Sequence, residues 1–331
     1  MKHSRSLREQ LIAFRQAASE DQLLESLGLI AVSLVKSDER ADFCRLDGPL
    51  TLVDHLQQLC LEQKTMGMPW TYSKAFGFHI IQKRLHACVR YFLICLTHIA
   101  LEAEMAAELC DLHVPQMLYE EFVISGSVAT LALTSTTFDE DSQLVPSIPI
   151  KQSTRLLALE CLRNLCHSEC MQLPHLPASA LDDLWIQLFH DNEQEAYLIA
   201  DVLANLCAYV PQAILATKER LHTLMARLLS AASPDSQMTP NLRCSLTDLA
   251  VNLARDNHYS VIFLCVIEEN HAPGRPAPYL RDWAESVEDS GFRASLCSLV
   301  HNLSWSDVST KMAAQKLGVS SFLEGFVQGH S

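Results

Sequence analysis

The chain has 331 residues, of which 49% are hydrophobic and 19% charged, and its net charge is −14. That apolar content supports a continuous core and excludes a disordered chain. The acidity disfavours a nucleic-acid partner, which requires a basic footprint.

Met1 to Arg15 is rich in Lys, Arg and Ser and reads as no apolar signal segment. Residues 1–20 are expected to form an N-terminal cap or arm, and 21–331 a helical repeat domain. The 3-and-4 spacing of apolar residues predicts helices over Asp21–Val35, Leu50–Leu61, Ile80–Glu108, Ser179–His190 and Glu219–Ser230. The short apolar run Val261–Ile267 reads as a buried helix as well as it reads as a strand. Asp47-Gly48-Pro49 opens one helix, with proline where no amide donor is needed. Ser233-Pro234-Asp235, Thr239-Pro240-Asn241 and the proline-rich stretch 271–278 mark breaks. The longest irregular loop is expected over Thr134–Gln152, around Phe138-Asp139-Glu140-Asp141-Ser142. From Tyr91 to Ile150 there is no Lys or Arg and there are nine acids, which reads as solvated helix faces and an acidic loop, or as a surface steering a basic partner. The longest apolar run, Phe92–Leu101, contains Thr97 and His98 and is far shorter than the ~20 residues of a membrane span. Twelve cysteines lie within apolar helical patterns and read as buried free thiols of a reducing compartment. The expected location is cytoplasmic, with the nucleus as the alternative.

One phrase recurs four times in the second half: Leu162-Arg163-Asn164-Leu165-Cys166, Leu203-Ala204-Asn205-Leu206-Cys207, Ala250-Val251-Asn252-Leu253-Ala254 and Val300-His301-Asn302-Leu303-Ser304. The asparagines are 41 (205−164), 47 (252−205) and 50 (302−252) residues apart, a period typical of stacked helical units. Around each asparagine the spacing 0, 3, 4, 7 defines one helix face. That face carries Glu160 and Asn164, then Asp201 and Asn205, then Asp248, Asn252 and Arg255, and finally Ser298, Asn302 and Trp305. Asparagine is a poor helix former, so its recurrence at one phase points to a hydrogen-bonding task. Two tasks fit: tying down the backbone of a neighbouring repeat, or offering an amide ladder to a partner. They are compatible.

Asp47-Gly48-Pro49-Leu50-Thr51-Leu52-Val53-Asp54-His55-Leu56 resembles the glycine-initiated second helix of an armadillo repeat, and Leu317-Gly318-Val319-Ser320-Ser321-Phe322-Leu323 resembles it again. The four Asn-Leu phrases resemble the third helix, with His98 at the asparagine position of an earlier copy. The resemblance implies an all-α fold, a right-handed α-solenoid of about five armadillo-like repeats. It also implies a concave groove lined by third helices, in which Asn164, Asn205, Asn252 and Asn302 meet the backbone of an extended peptide. Nuclear-import adaptors of the family carry a tryptophan one turn before the asparagine; this chain has Glu160, Asp201, Asp248 and Ser298 there, which sets it apart from them.

No GxGxxG, GxxxxGK[ST] or Gly-x-Ser-x-Gly string occurs. Cys161, Cys166, His167, Cys170 and His175 are the one cluster near metal-like spacing, but Cys161 and Cys166 sit on an apolar helix stripe and read as core. No catalytic residue, metal site or cofactor is expected. The expected function is a non-catalytic scaffold or adaptor holding a basic or extended protein segment, with Glu160, Asp201 and Asp248 selecting Lys or Arg. Regulation of a small GTPase is the alternative. Neither nucleic-acid binding nor membrane insertion is expected.

Overall fold

The computed structural model describes residues 6–65, 79–124, 154–168, 175–177, 179–189, 192–209, 217–231, 237–269 and 290–305. All regular elements among these residues are helical. The expected loops at 134–152 and 271–278 and the motif at Leu317–Leu323 lie outside them. The chain divides into two compact units, Met1–Ala178 and Ser179–Ser331.

The first unit opens with α1 (Leu7–Arg15), α2 (Glu20–Ser33) and α3 (Ser37–Arg45), followed by α4 (Gly48–Thr65) and α5 (His79–Ile99). Then come α6 (Ala103–Asp111), α7 (Val114–Leu118) running on into a π-helical turn over Tyr119–Ile124, and α8 (Thr154–Cys166). Polar caps start the early helices. Ser6 and Glu9 form a reciprocal capping box on α1, and Ser19 Oγ accepts from the Gln22 N–H (3.3 Å) on α2. α2, α5 and α8 stack side by side, and their inward faces bury Leu27, Phe92, Leu96 and Leu162 completely.

Two of the three-helix repeats in this unit turn the same corner. A nine-residue helix (α3, α6) ends, one residue adopts positive φ (Asp47 at 55°, His113 at 58°), and the second helix begins. Asx and His tolerate that conformation better than most L residues. Gly48 follows Asp47 because a Cβ there would lie 2.4–2.6 Å from the Phe43 ring, which is fully buried.

The expectation of one helix over Ile80–Glu108 requires correction. α5 stops at Ile99, Glu102 is extended (φ −99°, ψ 125°), and α6 begins at Ala103. No proline or glycine marks the break. Tertiary bonds hold it: the Thr97 carbonyl of α5 accepts from Asn164 (3.0 Å), and Glu102 turns its carboxylate to Arg40 (2.6 Å). Arg40 also donates to the Leu34 and Val35 carbonyls at the end of α2 (3.1 and 3.0 Å), so one guanidinium joins the ends of two stacked helices.

In the second unit the described helices come in pairs: α9 (Ala180–Leu188) with α10 (Glu193–Tyr209), α11 (Lys218–Ala231) with α12 (Pro240–Leu253), and α13 (Asn257–Glu269) with α14 (Ser290–Trp305). The run Val261–Ile267 is thus helical. Pro240 occupies the first turn of α12 as its sequence requires. α10, α12 and α14 stack in one layer, with α11 and α13 packed in the other.

Candidate partner-binding face

The leucine after each asparagine points inward: Leu165 and Leu253 are fully buried, and Leu206 and Leu303 nearly so. Each asparagine therefore stands at the border between core and surface. Asn164 is buried, while Asn205, Asn252 and Asn302 are half-buried.

Asn164, Asn252 and Asn302 make the same bond. Asn164 Nδ2 donates to the Thr97 carbonyl (3.0 Å), Asn252 Nδ2 to the Ala204 carbonyl (2.8 Å), and Asn302 Nδ2 to the Val251 carbonyl (2.9 Å). In every case the acceptor is the residue just before the ladder position of the preceding stacked helix: Thr97 before His98, Ala204 before Asn205, Val251 before Asn252. The bond runs from α8 to α5, from α12 to α10 and from α14 to α12.

At two of these junctions the amide completes a helix terminus. The last four carbonyls of a helix have no intrahelical donor. At the end of α5, Leu96 O accepts from Ala100 N–H (2.9 Å), His98 O from Leu101 N–H (3.3 Å) and Ile99 O from Glu102 N–H (3.1 Å). Thr97 O remains, and Asn164 takes it. At the end of α12, Ala250 O accepts from Ala254 N–H (2.9 Å), Asn252 O from Arg255 N–H (3.3 Å) and Leu253 O from Asp256 N–H (3.0 Å). Val251 O remains, and Asn302 takes it. The asparagine is a C-cap supplied by the next repeat.

This is the tie between repeats. An amide carries two N–H donors and an oxygen with two lone pairs, so one bond leaves capacity for a partner. The Asn164 oxygen accepts from the Arg163 guanidinium (3.1 Å), which Glu160 faces at 3.7 Å. For Asn252 and Asn302 no further hydrogen bond is made among the described residues. The amides of Asn164, Asn252 and Asn302 are thus not simply solvated in the free protein; each is anchored through its nitrogen.

The stacked architecture is shared with designed proteins. An engineered protein solved by a structural genomics consortium superposes with a TM-score of 0.54 at 13% identity, over 93% of this chain and 98% of its own length. A designed armadillo repeat protein in complex with the peptide (KR)4 superposes with a TM-score of 0.51 at 15% identity, over 83% of this chain and 90% of its own. The chain has a divergent armadillo-like repeat fold. No family model and no curated protein sequence matches it.

Within the armadillo-like units, the remaining face residues are placed as follows. Glu160 sits half-buried on α8 and Asp201 half-buried on α10, each one turn before its asparagine. Asp248 on α12 is exposed and accepts from Ser295 Oγ of α14 (2.6 Å) through one carboxylate oxygen. Arg255, just past α12, has an exposed side chain. Trp305 closes α14, and its side chain lies outside the described residues. In the second unit, Asp201, Asn205, Asp248, Asn252 and Asn302 thus share the stacked layer α10–α12–α14. Sequence reasoning missed Ser295 and the carbonyls of Thr97, Ala204 and Val251. A backbone acceptor carries no residue-type signal, although the register of His98 with the asparagines already pointed at the first.

Among the described residues no group of three His, Cys, Asp or Glu side chains is arranged to hold a metal ion, and no helix is long and apolar enough to cross a membrane. Cys161 and Cys166 are buried, His167 is exposed, and Cys170 lies outside the described residues. Burial pushes the Cys60 and Cys88 thiols up to about 12, so they stay protonated and unreactive at neutral pH.

Proposed function

We propose that the chain is a non-catalytic binding scaffold whose second unit takes an extended, Lys- or Arg-bearing protein segment along α10, α12 and α14. The observation that carries this reading is the anchored ladder. Each amide nitrogen bond fixes an asparagine at the surface border, so its remaining donor and acceptor present a constant geometry to a partner's backbone. One turn earlier, Asp201 and Asp248 provide carboxylates to which a Lys or Arg can pair with charge-assisted bonds. The basic peptide held by the designed armadillo repeat protein suits such a face. In the first unit Glu160 and Asn164 repeat the same pairing, although Asn164 is more enclosed. The free cysteines support a reducing, intracellular setting.

The test is a titration of the full chain with a fluorescent (Lys-Arg)4 peptide. Wild type is expected to bind, and the Asp201→Asn/Asp248→Asn double variant at least ten-fold more weakly with an unchanged melting temperature. Equal affinity of the two proteins would remove the carboxylates from the binding face.

A further inference from the structure

Arg90 and Tyr91 lie two turns before His98, the ladder position of α5, on a helix whose 21 residues include no Asp or Glu. Both side chains are enclosed, Arg90 at 7% exposure and Tyr91 at 4%. Neither makes a hydrogen bond or an ion pair among the described residues. The Arg90 Nε is sealed from solvent with no acceptor, whereas the two terminal nitrogens and the Tyr91 hydroxyl keep contact with the surface. The two groups are close enough to act on each other. Burial holds the guanidinium below its ordinary value and the phenol above its own, and each group partly offsets the other's shift. No carboxylate joins them; Glu20 and Asp21 of the packed helix α2 act on Cys88 instead. A cation taken out of water is stabilised only when a counter-charge and hydrogen bonds replace its hydration. Arg90 has neither in the free protein.

We propose that Arg90 and Tyr91 form a carboxylate-binding site that takes an Asp or Glu side chain of a partner protein. The site rests on the first unit alone and is independent of the face on α10, α12 and α14. Where α8, α10 and α12 carry Glu160, Asp201 and Asp248 one turn before the ladder position, α5 carries Ile94. The face of α5 therefore selects the opposite charge. A guanidinium supplies one positive charge and forked N–H donors, and the phenol adds an O–H donor. A carboxylate, a planar monoanion with two acceptor oxygens, matches that set. A phosphate dianion exceeds the single charge of the site, in a chain whose net charge is already −14.

A fluorescent (Glu-Ser)4 peptide is titrated against the full chain, Arg90→Met and Tyr91→Phe, with (Gln-Ser)4 as the uncharged control. Wild type is expected to bind (Glu-Ser)4 in preference to (Gln-Ser)4, Arg90→Met at least ten-fold more weakly, and Tyr91→Phe with intermediate affinity. Acetate should displace the peptide at lower concentration than inorganic phosphate at matched ionic strength. Thermal melting without peptide separates a ligand-binding arginine from a structural one. Methionine keeps most of the apolar stem and removes the unpaired charge, so Arg90→Met should melt at the wild-type temperature or above it. The (Lys-Arg)4 peptide should bind Arg90→Met as it binds wild type, which separates failure here from failure of the second-unit reading. The proposal is overturned if wild type does not bind (Glu-Ser)4, if it binds (Gln-Ser)4 equally, or if Arg90→Met binds (Glu-Ser)4 as wild type does. A lower melting temperature or loss of folding in Arg90→Met would likewise overturn it, making Arg90 a structural residue. Stronger displacement by phosphate would overturn the carboxylate assignment.

Discussion

The asparagine position decides how one repeat holds the next. Asn302→Ala leaves the Val251 carbonyl without a donor at a helix terminus, and Asn164→Ala does the same to Thr97. An unpaired buried polar group costs about 1–3 kcal/mol. Alanine's better helix propensity returns less than about 0.7 kcal/mol. Both variants should therefore melt at lower temperature than wild type in thermal denaturation, even in the absence of any partner. His98 is the informative exception. Burial, reinforced by the nearby Arg40 cation, holds its imidazole below the ordinary 6.5. The folded state thus prefers the neutral ring, and stability is retained above about pH 6.5 and lost as pH falls from there to the depressed value. α2 and α5 end in the same turn, with Leu34 N–H on Ile30 O and Ala100 N–H on Leu96 O, both at 2.9 Å, so His98→Asn puts an amide in register with the Ala31 carbonyl. The variant should gain about 0.5–1.5 kcal/mol in denaturant unfolding at pH 7 and lose this part of the acid sensitivity.

At the scale of elements, corners do what composition alone does not announce. Gly48→Ala directs a Cβ into the Phe43 ring at 2.4–2.6 Å. Overpacking of this kind costs about 1–3 kcal/mol, to be seen as a lower denaturation midpoint, and Phe43→Leu in the same chain should recover part of it. The neighbouring break between α5 and α6 has no comparable marker. Periodicity ran unbroken through Ile80–Glu108, because the apolar stripe of α5 and that of α6 happen to continue in phase. What marks the end of α5 is a pair of partners distant in sequence, Asn164 for Thr97 at 67 residues and Arg40 for Glu102 at 62. A local pattern cannot register such bonds. The π-helical turn at Tyr119–Ile124 is likewise fixed tertiarily, with Phe122 and Val123 in the core and Glu121 paired with Lys64 of α4.

For the whole molecule, the repeat phrase made the stacked all-α architecture legible, since Asn at the border and Leu in the core follow from one helical phase. The carboxylates one turn earlier were legible as well, because they share that phase. The dual duty of the amide was only half legible: sequence allows a structural tie and a partner ladder, and the bonds to Thr97, Ala204 and Val251 account for the first while leaving capacity for the second. With a net charge of −14, attraction of a basic segment should act over distance and be screened by salt. Association of (Lys-Arg)4 in stopped-flow is expected to slow as ionic strength rises to 0.15 M, where the Debye length is about 8 Å. The most direct measurement of the central claim is where that peptide lies. A (Lys-Arg)4 peptide bearing a central photo-crosslinker is bound to the full chain, irradiated and mapped by mass spectrometry. Crosslinks should concentrate at Asp201–Tyr209, Asp248–Arg255 and Ser298–Asn302, the exposed ladder side of α10, α12 and α14. Crosslinks on α9, α11 and α13 instead, or spread evenly over the acidic surface, would contradict the account.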